Sequence, residues 1–252
     1  MPNHVVLEVC VESVDHAVAA ERGGAHRIEL CSDLASGGIT PSVALFEASR
    51  HHLRLPIHAL IRPRAGDFLY SDYEFEIMER DIHMAKQLRM DGIVLGLLDE
   101  NGRVDVPRTR TLVDVAHPLP VTFHRAFDEC QDMDACLEAV IQTGAARILT
   151  SAGQARATDG ITALAHLVRA AGDRIVVMPG GGVDVDNVQL ILRRTAAREI
   201  HTSLGLSAAA TNHASGLSGE ASAAAGGDSS EFEGRVRKVR EMLEAFIRAV
   251  AP

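Results

Sequence analysis

The chain has 252 residues, 46% of them hydrophobic and 23% charged, with a formal net charge of −9, a balance typical of soluble globular proteins. That charge, the lack of a Lys/Arg cluster, the absence of Trp and the presence of only two Tyr and seven Phe argue against phosphate-backbone binding and against base stacking on aromatic side chains. No apolar run approaches the roughly 18 residues needed to cross a bilayer, so a membrane partner is not expected.

Strand one is predicted at residues 5–11, almost at the start, without the basic, apolar, small-residue layout of a signal peptide. A helix over 14–22 follows, capped by Ser13 and ended by Gly23-Gly24. Strand two covers 26–31, and a long loop, 32–39, leads to Thr40-Pro41, which reads as the cap and first-turn proline of the next helix. Pro56 opens strand three, to about residue 62. Ser71-Asp72-Tyr73-Glu74 is a capping box, and Phe75, Met78, Ile82, Ala85 and Leu88 then form a helical apolar stripe. Strand four is predicted at 92–98, a helix at 107–116, strand five at 120–125, a helix at 132–143, strand six at 147–151 and a helix at 158–171. Strand seven at 174–178, a helix at 184–194, strand eight at 199–203 and a closing helix at 231–250 complete the series.

Eight strands, each followed by a helix, imply a parallel sheet, since hairpins cannot join strands separated by helices. A length near 250 residues suits one (β/α)8 TIM barrel spanning 1–252. Residues 205–230, rich in Ala, Ser and Gly, read as a low-complexity flexible insertion after strand eight.

The strands carry an unusual pattern. Val6-Leu7-Glu8-Val9-Cys10, Arg27-Ile28-Glu29-Leu30-Cys31, Ile57-His58-Ala59-Leu60-Ile61-Arg62 and Val121-Thr122-Phe123-His124 alternate ionisable with apolar residues, as does Glu199-Ile200-His201. Strand side chains alternate between faces. Leu7, Val9, Ile28, Leu30, Ile57, Ile61 and Phe123 would then face helices, while Glu8, Cys10, Arg27, Glu29, Cys31, His58, Arg62 and His124 would point into the barrel. Both faces of such a sheet are usually covered, so buried ionisable groups need partners or a task. Catalytic groups of barrels lie at the C-terminal strand ends. Cys10, Cys31, Arg62, Arg64, His124, Ser151 and His201 would lie nearest the mouth, with Glu8, Glu29, His58 and Arg27 a layer or more below. Glu8, Glu29, His58 and His124 are the candidate proton carriers; Arg27, deep and near its strand start, suits a structural ion pair.

Met178-Pro179-Gly180-Gly181-Gly182-Val183 follows strand seven. Consecutive glycines let backbone N–H groups turn toward one anion, and the start of a helix at Asp184 would add its positive end. Arg62, Arg64, Ser151, Gly180, Gly181, Gly182 and His201 are therefore candidate binders of a small anionic molecule, although a glycine triplet also serves as a plain tight turn. The four cysteines, at 10, 31, 130 and 136, show no CxxC pairing, so neither a structural zinc site nor a thioredoxin motif is indicated. Cys130 and Cys136 read as a small loop residue and a small apolar helix residue. Cu(I) prefers Cys and Met, and Cys10 with Cys31 on adjacent strands would suit it. As small buried residues, the two need no metal. Glu8, Glu29, His58, His124 and His201 would suit a harder divalent ion.

Leu7-Glu8-Val9-Cys10-Val11, Arg27-Ile28-Glu29-Leu30-Cys31, Gly37-Gly38-Ile39-Thr40-Pro41-Ser42 and Ile61-Arg62-Pro63-Arg64 resemble the CutC family of copper homeostasis proteins. Gly66-Asp67-Phe68, Phe123-His124-Arg125-Ala126-Phe127-Asp128, Ile148-Leu149-Thr150-Ser151 and Met178-Pro179-Gly180-Gly181-Gly182 extend the match over about residues 5–203. The resemblance implies a (β/α)8 barrel, a cytoplasmic location, homo-oligomers and a link to copper, with Cu(I) held by Cys10 and Cys31. Two functions follow as expectations. One is copper homeostasis through Cu(I) on those thiols, with Met178 or a histidine in support. The other is an enzyme acting on a small phosphate- or carboxylate-bearing metabolite at the barrel mouth. A purely structural barrel would not need such an interior.

Overall fold

Strand and helix alternate without interruption in the computed structural model, which describes residues 5–204 and 229–250. Strands β1 (Val6–Val11), β2 (Arg27–Leu30), β3 (Ile57–Leu60), β4 (Gly92–Leu95), β5 (Val121–Phe123), β6 (Arg147–Thr150), β7 (Val176–Pro179) and β8 (Glu199–Thr202) alternate with eight helices. These are α1 (Val14–Gly23), α2 (Val43–His52), α3 (Asp72–Gln87), α4 (Val106–Ala116), α5 (Met133–Thr143), α6 (Ile161–Ala171), α7 (Val188–Thr195) and α8 (Ser229–Val250). All strand pairs are parallel, in the order β7-β6-β5-β4-β3-β2-β1-β8. β7 and β8 lie alongside each other and bring the two ends of the sheet together. This is a TIM-barrel architecture.

The alternation in the strands sorts side chains into two bodies. Leu7, Val9, Ile28, Leu30, Ile57, Ile61 and Phe123 belong to the main apolar core between sheet and helices. Cys10, Cys31, Leu60 and Val94 form a separate small cluster inside the ring. The register sets Glu8 beside Arg27 and His201, Cys10 beside Glu29, Glu29 beside His58, and His58 beside Gly92.

Local signals explain most helix ends. The Ser13 hydroxyl accepts from the His16 N–H, and Gly24 closes α1 at φ 94°, a left-handed conformation that glycine adopts without a Cβ clash. Ser71 and Glu74 form the reciprocal capping box. α8 packs on α1, where a Cβ at Gly23 would meet Val239 at 2.4 Å.

Several boundaries differ from the sequence expectation. β3 stops at Leu60 and β4 at Leu95, so Arg62 and Leu98 lie in loops. α2 is capped by Ser42, which accepts from the Leu45 N–H; the Thr40 hydroxyl instead accepts from the Arg62 N–H. α7 begins at Val188 rather than at Asp184. There the Asp184 carboxylate accepts from the N–H groups of Asp186 and Asn187, and the Asn187 side chain accepts from the Asp184 N–H. These side chains hold the segment in a turn. The expected insertion at 205–230 lies outside the described residues up to 228, and Ser229 and Ser230 belong to α8.

Candidate functional site

The deepest polar layer is an ion-pair network. The Arg27 guanidinium donates to Glu8 and to Glu199, and its Nη2 lies 3.3 Å from the Met178 sulfur. Arg147 adds a second cation to Glu199 at 3.1 Å and reaches Thr122. Burial pushes the Glu8 carboxyl up, but Arg27 and the bond from His201 more than offset this and hold it far below the usual carboxylate range. His58 Nδ1 lies 3.7 Å from Glu8, and burial, only partly opposed by Glu8, pushes its pKa down to about 3. Its ring fills the space that a side chain on Gly92 would take, since a Cβ there would lie 2.5 Å from the imidazole.

Above this layer lies an open cavity of about 620 Å³ at the C-terminal ends of the strands. Cys10, Glu29 and His201 line its floor and could present ligand atoms within 4.8 Å of one another. The Cys10 and Cys31 sulfurs are 3.5 Å apart, and the Cys10 thiol donates to Glu29 Oε1 at 3.4 Å. The contact with Cys31, burial and the Glu29 charge push the Cys10 thiol well above its ordinary value. Burial likewise raises the Glu29 pKa, with the His201 charge opposing. His201 Nδ1 bonds Glu8 Oε1 at 2.8 Å. Burial disfavours its imidazolium, but Glu29 and Glu8 more than offset that and raise its pKa.

The cavity wall comes from loops. Arg62 donates to the carbonyls of Gly38 at 2.9 Å and Gly66 at 2.7 Å, and its guanidinium lies 4.9 Å from the Phe68 ring centre. It ties the loops after β2 and β3 together. The Phe68 ring also meets His124, at 5.0 Å between ring centres. His124 Nδ1 accepts from the Ala126 N–H at 3.1 Å, and burial with the nearby Arg62 charge pushes its pKa down to about 3. The wall continues from His124 through Arg125, Asp128 and Glu129 to Leu149, Gly181 and Gly182. Asp128 accepts from Thr150, from the N–H groups of Ser151 and Gly153, and from Arg125, which also donates to Ser151 Oγ.

The fold thus brings together on one cavity Cys10, Glu29, Arg62, His124, Gly181, Gly182 and His201. Glu29 stands beside Cys10 in the register, so it sits at the floor rather than below it. Glu8 and His58 point inward but lie beneath the cavity, where they hold the ion network. Arg64, expected at the mouth, turns away: Glu74 and Asp67 pair with it, Leu69 O accepts from it, and Tyr70 stacks on it. Arg62 Nη1 donates to the Ser36 and Gly38 carbonyls and Nη2 to that of Gly66, so the residue clamps these loops while it lines the cavity. Ser151 is buried behind Gly181, and Gly180 allows close contact with Leu149 and His201. The expected helix start at Asp184 offers no N–H to the cavity from Asp184, Asp186 or Asn187. Met178 sits against Arg27, below the thiols.

Four contributors were not singled out from the sequence. Gly92 and Gly96 make room for His58 and His124 respectively; a Cβ on Gly96 would lie 2.5 Å from His124. They stand four residues apart, Gly92 at the start of β4 and Gly96 just past its end, a same-face spacing that glycine, without a side chain, does not advertise in the sequence. Arg125 and Asp128 organise the β6 loop, and they stood in the sequence only as part of a motif. Cys130 and Cys136 are both buried.

Comparison with known proteins adds an independent line. The CutC family profile matches residues 5–206. A human protein named copper homeostasis protein cutC homolog is 48% identical over 201 residues, covering 80% of this chain and 74% of its own length. A CutC family protein of Xanthomonas campestris is 47% identical over 208 residues, covering 82% and 87%. The crystal structure of a putative copper homeostasis protein CutC from Streptococcus agalactiae superposes with a TM-score of 0.75 at 32% identity, over 79% of this chain and 98% of that one.

Proposed function

The chain belongs to the CutC family, and from that premise we propose that it acts in copper homeostasis by binding Cu(I) through Cys10 and Cys31. The observation that carries this reading is the meeting of two thiols, 3.5 Å apart, with Cys10 at the floor of an open cavity and Cys31 buried directly behind it. Soft thiolate ligands select Cu(I). Two sulfurs on one tetrahedral ion at about 2.3 Å lie about 3.8 Å apart, so the pair needs only a small opening to share an ion. His201 and Glu29, within reach of Cys10, can complete the ligand set. A copper ion is accordingly the proposed partner, and a reducing compartment such as the cytoplasm is the setting that keeps the thiols free.

The size of the cavity favours a second reading, an enzyme acting on a small anionic metabolite, because ligand pockets typically span about 300–1,000 Å³. The deciding experiment is competition for Cu(I) between the protein and a colorimetric chelator, with wild type and a Cys10→Ser, Cys31→Ser variant. The copper reading expects one ion per chain in wild type and loss of most of it in the variant. Equal stoichiometry and affinity in the two proteins would remove these thiols from the function and leave the enzyme reading in its place.

A further inference from the structure

We propose that the wall of the cavity holds a second site, for the oxyanion of a small organic carboxylate or phosphate, formed by the His124 imidazole N–H, the Arg125 guanidinium and the backbone N–H groups of Gly181 and Gly182. The site is independent of the copper reading, since none of its contacts is a thiol.

The glycines come first. Gly181 and Gly182 have φ of +98° and +63°, and successive N–H groups in turned backbone of this kind form a concavity suited to an anion. Gly180 N–H is taken by Thr150 O. Among the described residues, nothing accepts from the N–H of Gly181 or of Gly182, and both residues line the cavity.

Arg125 is aimed at the same loop. Its Nε is fixed by Asp128 at 2.7 Å and its Nη2 by Ser151 at 2.8 Å. Nη1 is left over, 3.4 Å from where a Gly181 Cβ would stand. A side chain at 181 would intrude between the guanidinium and the glycine loop. A fork held in place on two sides loses little freedom when it binds a carboxylate or phosphate.

His124 supplies the third donor. Because Nδ1 accepts from Ala126 N–H, the neutral ring carries its proton on Nε2. That atom is buried and has no partner, in a residue only 6% exposed. Buried donors are almost always satisfied, so this one calls for an acceptor from outside the chain. With a pKa of about 3, the ring stays neutral near pH 7 and donates without adding charge.

Sign and size define the ligand. The four groups are all donors, and Arg62 in the neighbouring wall adds positive potential. Of the acids on this wall, Asp128 is saturated by Thr150, Ser151, Gly153 and Arg125, and Glu129 is exposed to solvent. The cavity extends from this wall to the Cys10, Glu29 and His201 floor, leaving room for an organic body behind the oxyanion.

The test uses the full-length protein labelled with 15N and titrated with inorganic phosphate and, separately, with malonate. Backbone amide signals of Gly181 and Gly182 are expected to shift saturably with at least one probe, and the responsive probe identifies the oxyanion. Arg125→Gln should weaken that binding about tenfold or more, equivalent to about 1.4 kcal/mol. The Cys10→Ser, Cys31→Ser variant should bind the probe as wild type does. No saturable shift with either probe overturns the site, as does full affinity in a folded Arg125→Gln protein. Loss of binding in the thiol variant would move the anion to the floor and overturn it as well. Should Arg125→Gln fail to fold, judged by its circular dichroism, the wild-type titration decides alone.

Discussion

Glu8 Oε1 and His201 Nδ1 lie 2.8 Å apart across the junction of β1 and β8, while the other oxygen of the same carboxylate takes the Arg27 guanidinium. One buried acid thus links the structural layer below to the cavity floor above. Its charge is tolerated because cations surround it; desolvation alone would drive it neutral. Removing one member of a buried pair leaves the rest uncompensated, at a cost of about 3–5 kcal/mol. Glu8→Gln is therefore expected to lower stability by about that amount in urea unfolding. An unchanged midpoint with an unchanged slope would show that the network adds nothing. The depressed pKa of Glu8 also sets a direction: its contribution is present above its ordinary value of 4.5 and is lost as pH falls below that.

His58 and His124 predict a separate loss of stability in mild acid. Both have pKa values pushed from 6.5 to about 3 by burial. Between those limits the unfolded chain binds protons that the folded chain refuses, so stability rises with pH there. It should be complete above pH 6.5 and fall steadily toward pH 4, by up to about 1.4 kcal/mol per pH unit for each ring. His201, with its raised pKa, acts in the opposite sense: it stabilises fully below 6.5, and that part is lost as pH rises through its folded value. Urea midpoints at half-unit steps from pH 4 to 7 check this. His124→Gln should flatten the slope, and a slope equal to wild type would show that His124 titrates normally in the folded chain.

Gly92 and Gly96 should tolerate no larger side chain. Neither has a left-handed backbone, so the objection to Ala is contact alone: 2.5 Å to His58 for one and 2.5 Å to His124 for the other. Overpacking of this kind costs about 1–3 kcal/mol. Gly102→Ala is not a fair control, because its φ is +67°. Gly234, in α8 with open space around it, is: Ala there should stabilise by about 0.5–1 kcal/mol through helix propensity. Thermal unfolding of the three variants should order them Gly234→Ala above wild type, with Gly92→Ala and Gly96→Ala below.

How far these features could be read in advance depends on whether a period survives. In β1 and β2 the alternation runs the full strand, so Leu7, Val9, Ile28 and Leu30 alone suffice to put Glu8, Cys10, Arg27 and Glu29 on the inner face. At Arg64 the alternation no longer applies. Two-residue spacing puts Arg62 and Arg64 on one face only while the strand continues, and β3 ends at Leu60. Beyond it, Glu74 and Asp67 capture Arg64 because opposite charges lie nearer than the cavity does. Depth was legible less well than direction. Neighbouring strands are staggered around the barrel, so counting from a strand's own end put Glu29 below Cys10, whereas their Cα atoms pair in register. At Asp184 a capping residue is present, but the Asn187 side chain accepts from the Asp184 N–H while Asp184 accepts from the Asn187 N–H, and this reciprocal pair closes a turn before α7 begins at Val188. Arg125 follows the end of β5 in a short helical turn, where no strand parity applies; the fold of the β7 loop is what brings it against Gly181.

The protonation of Cys10 makes the copper proposal testable by pH alone. Thiolate, not thiol, binds the metal, so each protonated ligand must release its proton on binding. Contact with Cys31, burial and the Glu29 charge hold the Cys10 thiol protonated throughout the neutral range. Its proton alone should make apparent Cu(I) affinity rise about tenfold per pH unit, and any proton released by a second ligand would steepen the rise. Glu29→Gln removes a negative charge beside the sulfur and should ease that ionisation, raising affinity near pH 7 unless the carboxylate is itself a ligand, in which case affinity falls. Competition titrations at pH 6, 7 and 8, corrected for protonation of the chelator, give the slope directly. A flat profile would exclude the Cys10 thiolate as a copper ligand, whatever the stoichiometry. A slope that persists in Cys10→Ser would assign the released proton to another group and exclude Cys10 on separate grounds.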